Sequence, residues 1–478
     1  MNIIHTDICV IGAGSGGLSV AAGASQMGAN VVLIEKAAMG GDCLNTGCVP
    51  SKAMLASGHV AQSMREAKPF GVLSNAPTID WAAVHKHVHD VIAAIAPNDS
   101  VERFEGLGVK VIQAAAEFTD EKTVQAGDVQ VKAKYFVLAT GSSAFVPPIE
   151  GLDGIDYFTN ENIFDNKEQI DHLIVIGGGP IGIEMAQAHR RLGAKVTVME
   201  LTRLLMKDDR ELAQIVIDRL SDEGMTFYEG GRNLQLEKTD TGITAYCEIG
   251  IEEKPEKACV KGSHVLIATG RRANVNGLNL EAAGVKYSPR GVEVDARLRS
   301  SNKRIFAIGD VAGPYQFTHM AAYQAGIVIR NMLFKLPAKV DYSAVPWVTY
   351  TDPELSHVGM TEADAEAAGK SIRVLRWRFD ENDRAQAEKR TEGMVKVVTE
   401  QNGRILGASI VGLHAGELIQ PWILAISQKM KIGAMASIIA PYPTLSEVNK
   451  RIAGSFYTEK LFSKGTKKLV RFLMCWFS

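Results

Sequence analysis

Two segments of the chain share one order of apolar and polar positions. The first, DICVIGAGSGGLSVAAGASQMGANVVLIE, runs from Asp7 to Glu35, and the second, HLIVIGGGPIGIEMAQAHRRLGAKVTVME, runs from His172 to Glu200. Each has a short apolar run, a glycine-rich turn, apolar positions at helical spacing, and a second apolar run that ends in an acid. The pattern therefore predicts a strand, an amphipathic helix and a strand, twice over.

Each segment is followed later by another apolar run that ends in the same tripeptide. FVLATG ends at Thr140 and Gly141, and VLIATG ends at Gly270. A further apolar run and turn, RIFAIGDV, comes after the second half. The repetition indicates one α/β nucleotide-binding plan that is used twice.

The pattern of apolar and polar positions changes beyond about residue 340. VKVVTEQNGRILGASIVG predicts two antiparallel strands joined by an Asn-Gly turn, and ELIQPWILAISQKM predicts a helix. This alternation differs from the two repeats, so we predict a third domain of α+β type, followed by a short tail.

Composition excludes several classes of protein. The chain has 478 residues with 46% apolar and 22% charged residues, which is ordinary for a globular protein of about three domains. The formal net charge of −2 provides no basic field for nucleic acid, so we expect no nucleic-acid partner. Since no apolar run reaches ~18 residues and the N-terminus lacks a signal-peptide pattern, we expect a cytoplasmic location.

The glycine turns predict nucleotide sites. Both follow G-x-G-x-x-G between strand and helix, at Gly12, Gly14, Gly17 and at Gly177, Gly179, Gly182. The first glycine permits the tight turn, the second lets backbone approach a pyrophosphate, and the third lets helix pack on strand. A lone motif is often only a structural turn, but here strand, helix and acid accompany it twice.

An acid follows the first glycine of each turn by 23 positions, at Glu35 and Glu200. A carboxylate there accepts a hydrogen bond from a ribose 2′-hydroxyl and repels a 2′-phosphate. Glu200 therefore favours NAD over NADP, although the nearby Arg203 leaves NADP open.

Two of the six cysteines, Cys43 and Cys48, form the only close pair, in GGDCLNTGCVPSKAML. Pro50 suits the first turn of a helix, and a thiol at a helix N-terminus has a lowered pKa. A disulfide closing so short a loop should be strained and easily reduced. Inert core cysteines, half of a zinc site and a structural disulfide are the alternatives; zinc needs further ligands, and we expect no metal site.

These motifs resemble the pyridine nucleotide–disulfide oxidoreductases, the family of dihydrolipoamide dehydrogenase, glutathione reductase and mercuric reductase. The resemblance extends from Asp7 to about Ser455, and it includes CLNTGCVPSK, FAIGDV, FTHMAAYQAG and GASIVGLHAGELIQ. It implies FAD, NAD or NADP, a homodimer, and a small-molecule disulfide, dithiol or other electron acceptor. The implied fold is α/β, with two Rossmann-like FAD- and NAD(P)-binding domains plus an α+β dimerisation domain.

The implied domains divide the chain into five parts. These are the first part of the FAD-binding domain (1–150), the NAD(P)-binding domain (151–272), the second part of the FAD-binding domain (273–342), the dimerisation domain (343–455) and an amphipathic tail (456–478).

The resemblance also assigns redox roles. Cys48 would lie against the flavin as a charge-transfer thiolate, and Cys43 would be the interchange thiol that meets substrate. Lys52 would sit near the reactive flavin nitrogen, paired with Glu184. Taken alone, Lys52 and Glu184 would be interpreted as surface charges on helices.

Further residues would hold the cofactor. Asp310 of FAIGDV would bind the ribityl chain, His319 would lie near the flavin, and the backbone of Ala116 would contact the adenine end. The glycine turns, their acids and the ATG tripeptides complete the implied set of cofactor residues.

One position departs from the family pattern. Disulfide reductases usually carry His-Pro-Thr in a segment that reaches the disulfide of the partner subunit, with a glutamate that orients the histidine. This chain reads PYPTLSE, so the resemblance implies Tyr442 in the histidine position with Glu447 retained. Histidine titrates near ~6.5 and tyrosine near ~10, so the phenol is a poor base at neutral pH. Loss of such a group costs typically ~10²–10⁴-fold in rate, and we predict weak lipoamide turnover.

Tyrosine at this position resembles mercuric reductase, yet the vicinal C-terminal cysteines of that enzyme are replaced by the single Cys475. The sequence leaves three hypotheses about function. They are a dihydrolipoamide dehydrogenase-like disulfide oxidoreductase, a soft-metal or quinone reductase, and a flavoprotein with a non-catalytic binding role. The intact cysteine pair argues against the last.

The tail KGTKKLVRFLMCWFS predicts an amphipathic helix. Lys467, Lys468 and Arg471 share one arc, and the other arc holds Leu469, Phe472, Leu473, Trp476 and Phe477. Such a helix either docks on the protein's own core or dimer partner, or lies on a membrane surface. The second alternative would place the enzyme peripherally on the inner face of the membrane.

Overall fold

The computed structural model describes residues 2–250 and 256–476. The chain divides into two compact units. The first comprises Met1–Leu201 and Thr226–Asp341, and the second comprises Thr202–Met225 and Tyr342–Ser478.

The strands are β1 (Asn2–Ile11), β2 (Val31–Glu35), β3 (Val109–Gln113), β4 (Ala116–Asp120), β5 (Thr123–Ala126), β6 (Val129–Leu138), β7 (Ser142–Ala144), β8 (His172–Ile176), β9 (Lys195–Met199), β10 (Thr226–Tyr228), β11 (Arg232–Thr239), β12 (Gly242–Ile249), β13 (Glu256–Gly262), β14 (His264–Ile267), β15 (Arg271–Ala273), β16 (Tyr287–Ser288), β17 (Gly291–Val292), β18 (Ile305–Ala307), β19 (Pro346–Thr349), β20 (Glu354–Gly359), β21 (Ile372–Arg378), β22 (Met394–Glu400) and β23 (Ile405–Gly412).

The helices are α1 (Ser15–Gln26), α2 (Gly41–Asn45), α3 (Cys48–Arg65), α4 (Trp81–Ile95), α5 (Val101–Gly106), α6 (Pro180–Arg191), α7 (Arg210–Asp222), α8 (Thr318–Met332), α9 (Glu362–Ala367), α10 (Asp383–Ala387), α11 (Ala415–Leu418), α12 (Gln420–Ser427), α13 (Ile432–Ala436), α14 (Glu447–Ser455), α15 (Thr458–Leu461) and α16 (Lys464–Trp476).

The larger sheet of the first unit is built around the first sequence repeat. Its order is β3-β2-β1-β6-β5-β4, with β18 paired to β6. Strands β1, β2, β3, β6 and β18 pair in parallel, while β4, β5 and β6 pair antiparallel. Ile8, Val10 and Leu33 are fully buried, because helices cover both faces of a parallel sheet. The strand, helix and strand predicted for this repeat are present.

The second repeat forms a separate parallel sheet in the order β10-β9-β8-β14. Leu173, Ile174 and Val175 in β8 are fully buried. An antiparallel sheet of β11, β12 and β13 is inserted in the chain between β10 and β14. The predicted pair of nucleotide-binding folds is therefore confirmed.

The second unit contains an antiparallel sheet in the order β19-β20-β23-β22-β21. The hairpin predicted around the Asn-Gly turn is β22 and β23. The helix predicted after it is divided into α11 and α12, which begins with Gln420 and Pro421. Proline lacks the N–H that a continuous helix would need there.

Residues 202–225 belong to the second unit, although the sequence places them inside the NAD(P)-binding repeat. Within that unit, Lys396 Nζ lies 2.7 Å from Asp209 Oδ2, and Trp347 Nε1 donates to Asp208 Oδ1 at 2.8 Å. Helix α7 buries Leu212, Val216 and Leu220. The domain boundaries derived from the sequence stay a prediction. Within the predicted NAD(P)-binding domain (151–272), residues 202–225 pack with the second unit.

The predicted tail helix is present as α16, and every residue of it except Thr466 is exposed. Phe477, which the sequence places on its apolar face, lies outside the described residues. Among the described helices, none combines the length and the apolarity needed to cross a bilayer.

Candidate active site

The cysteine pair lies at the junction of two helices in the first unit. Cys43 is in α2, and Cys48 is the first residue of α3. Both side chains are thiols, and the Cys43 thiol donates a hydrogen bond to Cys48. That hydrogen bond, with smaller contributions from Thr318 and Lys52, lowers the pKa of Cys48 to about 6. The same contact, together with burial, raises the pKa of Cys43. At neutral pH the reduced pair therefore holds a thiolate on Cys48 and a proton on Cys43.

Thr318 contacts the cysteine pair, although the sequence motifs did not predict this contact. Its Oγ1 lies 3.3 Å from Cys48 Sγ, at the first turn of α8. The residue directly precedes His319 in FTHMAAYQAG, so the motif was visible. The 270 positions between Thr318 and Cys48 hide their proximity.

Lys52 and Glu184 form the ion pair that the resemblance implied. Lys52 lies one helical turn after Cys48 in α3, and its Nζ is 2.8 Å from Glu184 Oε2 in α6. The Glu184 side chain is only 6% exposed, so its charge is held away from solvent beside the ammonium. A cation fixed this close to Cys48 favours its thiolate form.

The first glycine turn has the shape of a phosphate cradle. A Cβ on Gly12, where φ is +105°, would overlap the carbonyl oxygen of Ala139, and a Cβ on Gly17 would overlap that of Gly12. A Cβ on Gly14 would meet no protein atom within 4 Å. Gly12 and Gly17 are thus required by close backbone contacts within the chain. Gly14 borders open space at the N-terminus of α1, where free N–H groups favour phosphate.

The second turn repeats this geometry. Gly177 has φ of +112°, and a Cβ there would overlap the carbonyl oxygen of Ala268, whereas Gly179 again faces open space. A Cβ on Gly182 would overlap the carbonyl oxygen of Gly177. Both turns therefore fit a dinucleotide pyrophosphate, as FAD and NAD(P)H require.

The acid of each repeat is held against its own glycine turn. Glu35 Oε2 accepts the N–H of Ala13 at 2.5 Å, and its Oε1 accepts that of Ala37 at 2.8 Å. Glu200 Oε2 accepts the N–H of Gly178 at 2.7 Å. A carboxylate oxygen has two lone pairs, so accepting one backbone N–H does not by itself prevent a hydrogen bond from a ribose hydroxyl.

Asp310 lies in a charged cluster that the sequence showed only in part. Its Oδ2 accepts the Ser142 hydroxyl at 2.5 Å, and burial raises the pKa of its carboxyl group. Arg271 Nε lies 3.8 Å from Asp310 Oδ2, and its Nη2 lies 3.2 Å from Asp42 Oδ1. Because Asp42 precedes Cys43, Arg271 links the Asp310 turn to the redox helix. Arg271 and Asp42 had no motif signal.

The other predicted cofactor residues occupy varied positions in the first unit. Ala116 begins β4 and is buried. Thr140 Oγ1 donates to Asn274 O at 2.7 Å, and Gly141 has a positive φ of +67°. Gly270 follows β14 with φ of +134°, and the exposed ring of His319 stacks on Phe317 with centroids 5.2 Å apart. Their contacts with FAD or NAD(P)H stay predictions.

Tyr442 lies in the second unit, and its side chain is 68% exposed. Its hydroxyl donates to Asp383 Oδ2 at 2.9 Å, which raises the pKa of the phenol. Glu447, expected to orient this position, instead accepts both Nε and Nη2 of Arg451 at 2.9 and 2.7 Å. The contacts observed for the Glu447 carboxylate are thus with Arg451, one helical turn along α14, and an orienting role of Glu447 toward Tyr442 stays a prediction.

No group of three or more histidine, cysteine or acidic side chains in the described ranges is arranged to hold a metal ion.

Comparison with known proteins gives the class. Residues 6–325 match the family described as pyridine nucleotide-disulphide oxidoreductase, and residues 345–453 match the dimerisation domain of the same family. The chain belongs to this family of FAD-dependent enzymes, which use NAD(P)H and a redox disulfide and form homodimers. The predicted fold class, enzyme class and cofactors are confirmed.

Relatives come from two branches of the family. Mercuric reductase from Staphylococcus aureus is 34% identical over 454 residues, with 94% of this chain and 82% of that protein covered. Dihydrolipoyl dehydrogenase from Geobacillus stearothermophilus is 34% identical over 459 residues, with 93% and 95% covered.

Solved structures give the same picture. The HOCl-induced flavoprotein disulfide reductase RclA from Escherichia coli superposes with a TM-score of 0.84 at 25% identity, covering 94% of this chain and 99% of that chain. Its Cu(II) complex superposes with a TM-score of 0.83, at the same identity and coverage. LpdA from Mycobacterium tuberculosis superposes with a TM-score of 0.85 at 26% identity, again covering 94% and 99%.

Proposed function

We propose that this enzyme uses NADH to reduce a thiophilic metal ion that binds the Cys43–Cys48 pair, and that lipoamide is a poor acceptor. The observation that carries the proposal is Tyr442. Its hydroxyl proton is engaged by Asp383, and its pKa is raised further above neutrality. A dithiol substrate needs a group that takes and returns a proton near pH 7, and such a phenol does neither.

A metal ion removes the need for that base. A soft cation binds thiolate directly and displaces the proton of a coordinating thiol. The reduced pair already holds one thiolate on Cys48, and the cation would displace the proton that remains on Cys43. We therefore expect the Cys43–Cys48 pair to reduce a bound metal cation more readily than a disulfide substrate, because reduction of a disulfide requires proton transfer.

The cofactor sites determine the electron source. Bound FAD would supply the two-electron chemistry that connects the nicotinamide to the disulfide. The two glycine turns would hold the pyrophosphates, and Lys52 with Glu184 would fix a charge pair beside the redox centre. Overall, one NADH becomes NAD⁺ and H⁺, while one divalent ion gains two electrons or two ions gain one each.

NADH is the proposed donor because of two separate observations. Glu200 presents a carboxylate at the second turn, where it would repel a 2′-phosphate. In the second unit, Arg203 Nη2 donates to the carbonyl oxygens of Met206 and Asp208 at 2.7 and 3.2 Å. The Nη2 group of Arg203 is thus bound to the backbone of its own loop, which disfavours its use as a phosphate ligand.

An acceptor panel tests the proposal on the FAD-loaded homodimer. We expect Hg²⁺ or Cu²⁺, supplied with a small thiol, to drive NADH oxidation. We also expect lipoamide turnover ~10²-fold or more below the metal rate. Quinones and NADPH complete the panel. Lipoamide turnover that equals or exceeds the metal rate would assign the enzyme to the dihydrolipoamide dehydrogenase type instead.

We also propose that α16 contacts an anionic membrane surface. Within the described residues its basic side chains are Lys464, Lys467, Lys468 and Arg471, and it carries no acidic residue. Its large apolar side chains are 42–74% exposed: Leu469, Val470, Phe472, Leu473, Met474 and Trp476. Basic residues with exposed aromatic and aliphatic groups suit the interface of anionic lipid. A location on the inner face of the membrane follows from this proposal.

Vesicle binding tests the tail. We expect the full chain to sediment with phosphatidylserine-containing vesicles, and a chain ending at Ser455 to stay in solution. Phe472→Ser should weaken binding through lost apolar burial, and added salt should weaken it through screening. Equal sedimentation of the full and shortened chains would refute membrane contact. Burial of Trp476 in the homodimer without lipid, seen as blue-shifted fluorescence that truncation removes, would identify the partner subunit as the occupant.

A further inference from the structure

The surroundings of Tyr442 are built from two segments of the second unit. Helix α10 begins at Asp383, and its capping residue is Asn382. The Asn382 side chain is buried, and its Oδ1 accepts the N–H of Ala385 at 3.0 Å. Its Nδ2 donates to the carbonyl oxygen of Thr444 at 3.1 Å. Asn382 therefore ties the start of α10 to the segment that carries Tyr442.

The Tyr442 segment is also braced internally. Thr444 Oγ1 donates to the carbonyl oxygen of Pro441 at 2.8 Å. With Asn382 fixing Thr444 from the other side, the distance of 2.9 Å between the Tyr442 hydroxyl and Asp383 Oδ2 is set by anchored backbone on both partners. A hydrogen bond to a carboxylate is among the stronger kinds in proteins.

The direction of this hydrogen bond matters chemically. A phenol has one proton to donate and two lone pairs that accept. Because an ionised carboxylate only accepts, the proton of Tyr442 must point toward Asp383. The lone pairs of the phenol oxygen then face away from Asp383, toward whatever approaches the exposed side of the ring.

We propose that Asp383 is a positioning residue which directs the hydroxyl proton of Tyr442 toward its own carboxylate, so that the oxygen presents lone pairs, and not its proton, to a cationic acceptor. The specificity half of this inference rests on the proposed metal reduction. The hydrogen-bond half does not, since it concerns the resting enzyme alone. Under this proposal Asp383, and not Glu447, is the carboxylate that orients Tyr442, since Arg451 holds Oε1 of Glu447.

Fluorine NMR of the homodimer labelled with 3-fluorotyrosine tests the hydrogen bond directly. Tyr442→Phe identifies the resonance of Tyr442. We expect Asp383→Asn to move that resonance, and Glu447→Gln to leave it in place. Asp380→Asn is the matched control, since Asp380 lies three positions away and pairs with Arg378 at 2.8 Å. An unmoved resonance in Asp383→Asn, or an equal movement in Glu447→Gln, would overturn the assignment.

Kinetics test the consequence for specificity. In Asp383→Asn the amide can donate to the phenol oxygen and turn its proton outward. We expect kcat/KM for the metal ion to fall about tenfold, with Asp383→Glu recovering part of the loss and Asp380→Asn unchanged. Unchanged metal kinetics in Asp383→Asn would overturn the specificity role. Absence of metal reduction in the wild-type enzyme would instead refute the proposed function, while the NMR result would still decide the hydrogen bond.

Discussion

Cys48→Ser is expected to abolish reduction of every acceptor, with a loss of at least ~10³-fold, while the protein still binds FAD. A serine hydroxyl cannot form the disulfide that stores the electron pair, and it has no thiolate near neutral pH. The glycine turns do not depend on the Cys48 side chain, so the yellow flavin absorption should remain. Acceptor-dependent NADH oxidation by the purified homodimer measures the effect.

Cys259→Ser serves as the control for this replacement. Cys259 is an exposed cysteine in β13, away from the redox pair in sequence, and its loss should leave turnover unchanged. A Cys48→Ser enzyme that retained more than a few per cent of wild-type turnover would show that electrons reach the acceptor without the disulfide.

The rate at which alkylating reagents modify Cys48 in the reduced enzyme should depend on pH. The reactive species is the thiolate, so modification of Cys48 should accelerate as pH rises through about 6. In Cys43→Ala the main donor to Cys48 is lost, and the midpoint should move to higher pH. A midpoint that stayed in place would show that the hydrogen bond from Cys43 does not set the reactivity of Cys48.

Tyr442→His is expected to raise lipoamide turnover by ~10²-fold or more. An imidazole titrates near ~6.5 and can exchange a proton with a dithiol at neutral pH, which the phenol cannot. Asp383 would accept a hydrogen bond from the ring and favour its charged form, so the activity should appear as pH rises through a value above ~6.5. Steady-state rates with dihydrolipoamide and NAD⁺, measured from pH 5 to 9, give the profile.

Tyr442→Phe separates this gain from simple loss of the phenol. Phenylalanine removes the hydroxyl without supplying a base, so its lipoamide rate should remain low. Equal lipoamide rates in the histidine, phenylalanine and wild-type enzymes would show that another feature of the site limits the use of dithiols.

Local motifs predicted the parts of the site that local backbone creates. The glycine turns at Gly12 and Gly177 could be found because a tight strand–turn–helix junction demands glycine at fixed spacing. The cysteine pair could be found because both sulfurs come from one short loop. The ion pair of Lys52 and Glu184 required the family resemblance, since 132 positions separate the two residues.

The residues that sequence reasoning missed act across long separations. Thr318 meets Cys48 only after α8 and α3 pack in one unit, and a threonine beside a histidine has no distinctive pattern. Asp383 meets Tyr442 across 59 positions, while Glu447 was the obvious acid because it stands only five positions away. Arg451, one helical turn further along α14, donates a hydrogen bond to Oε1 of Glu447. Side-chain competition of this kind leaves no trace in motif spacing.

Helix α7 has a consequence for the order in which the chain can be assembled. It packs against β20 and β23, which are synthesised more than a hundred residues after it. Until those strands leave the ribosome, α7 lacks the packing that they provide to its apolar face, which includes Leu212, Val216 and Leu220, although β9 and β10 on either side can already pair. Burial of α7 therefore waits until β23 has been synthesised, and before then nascent chains expose an apolar helix face that chaperones would recognise.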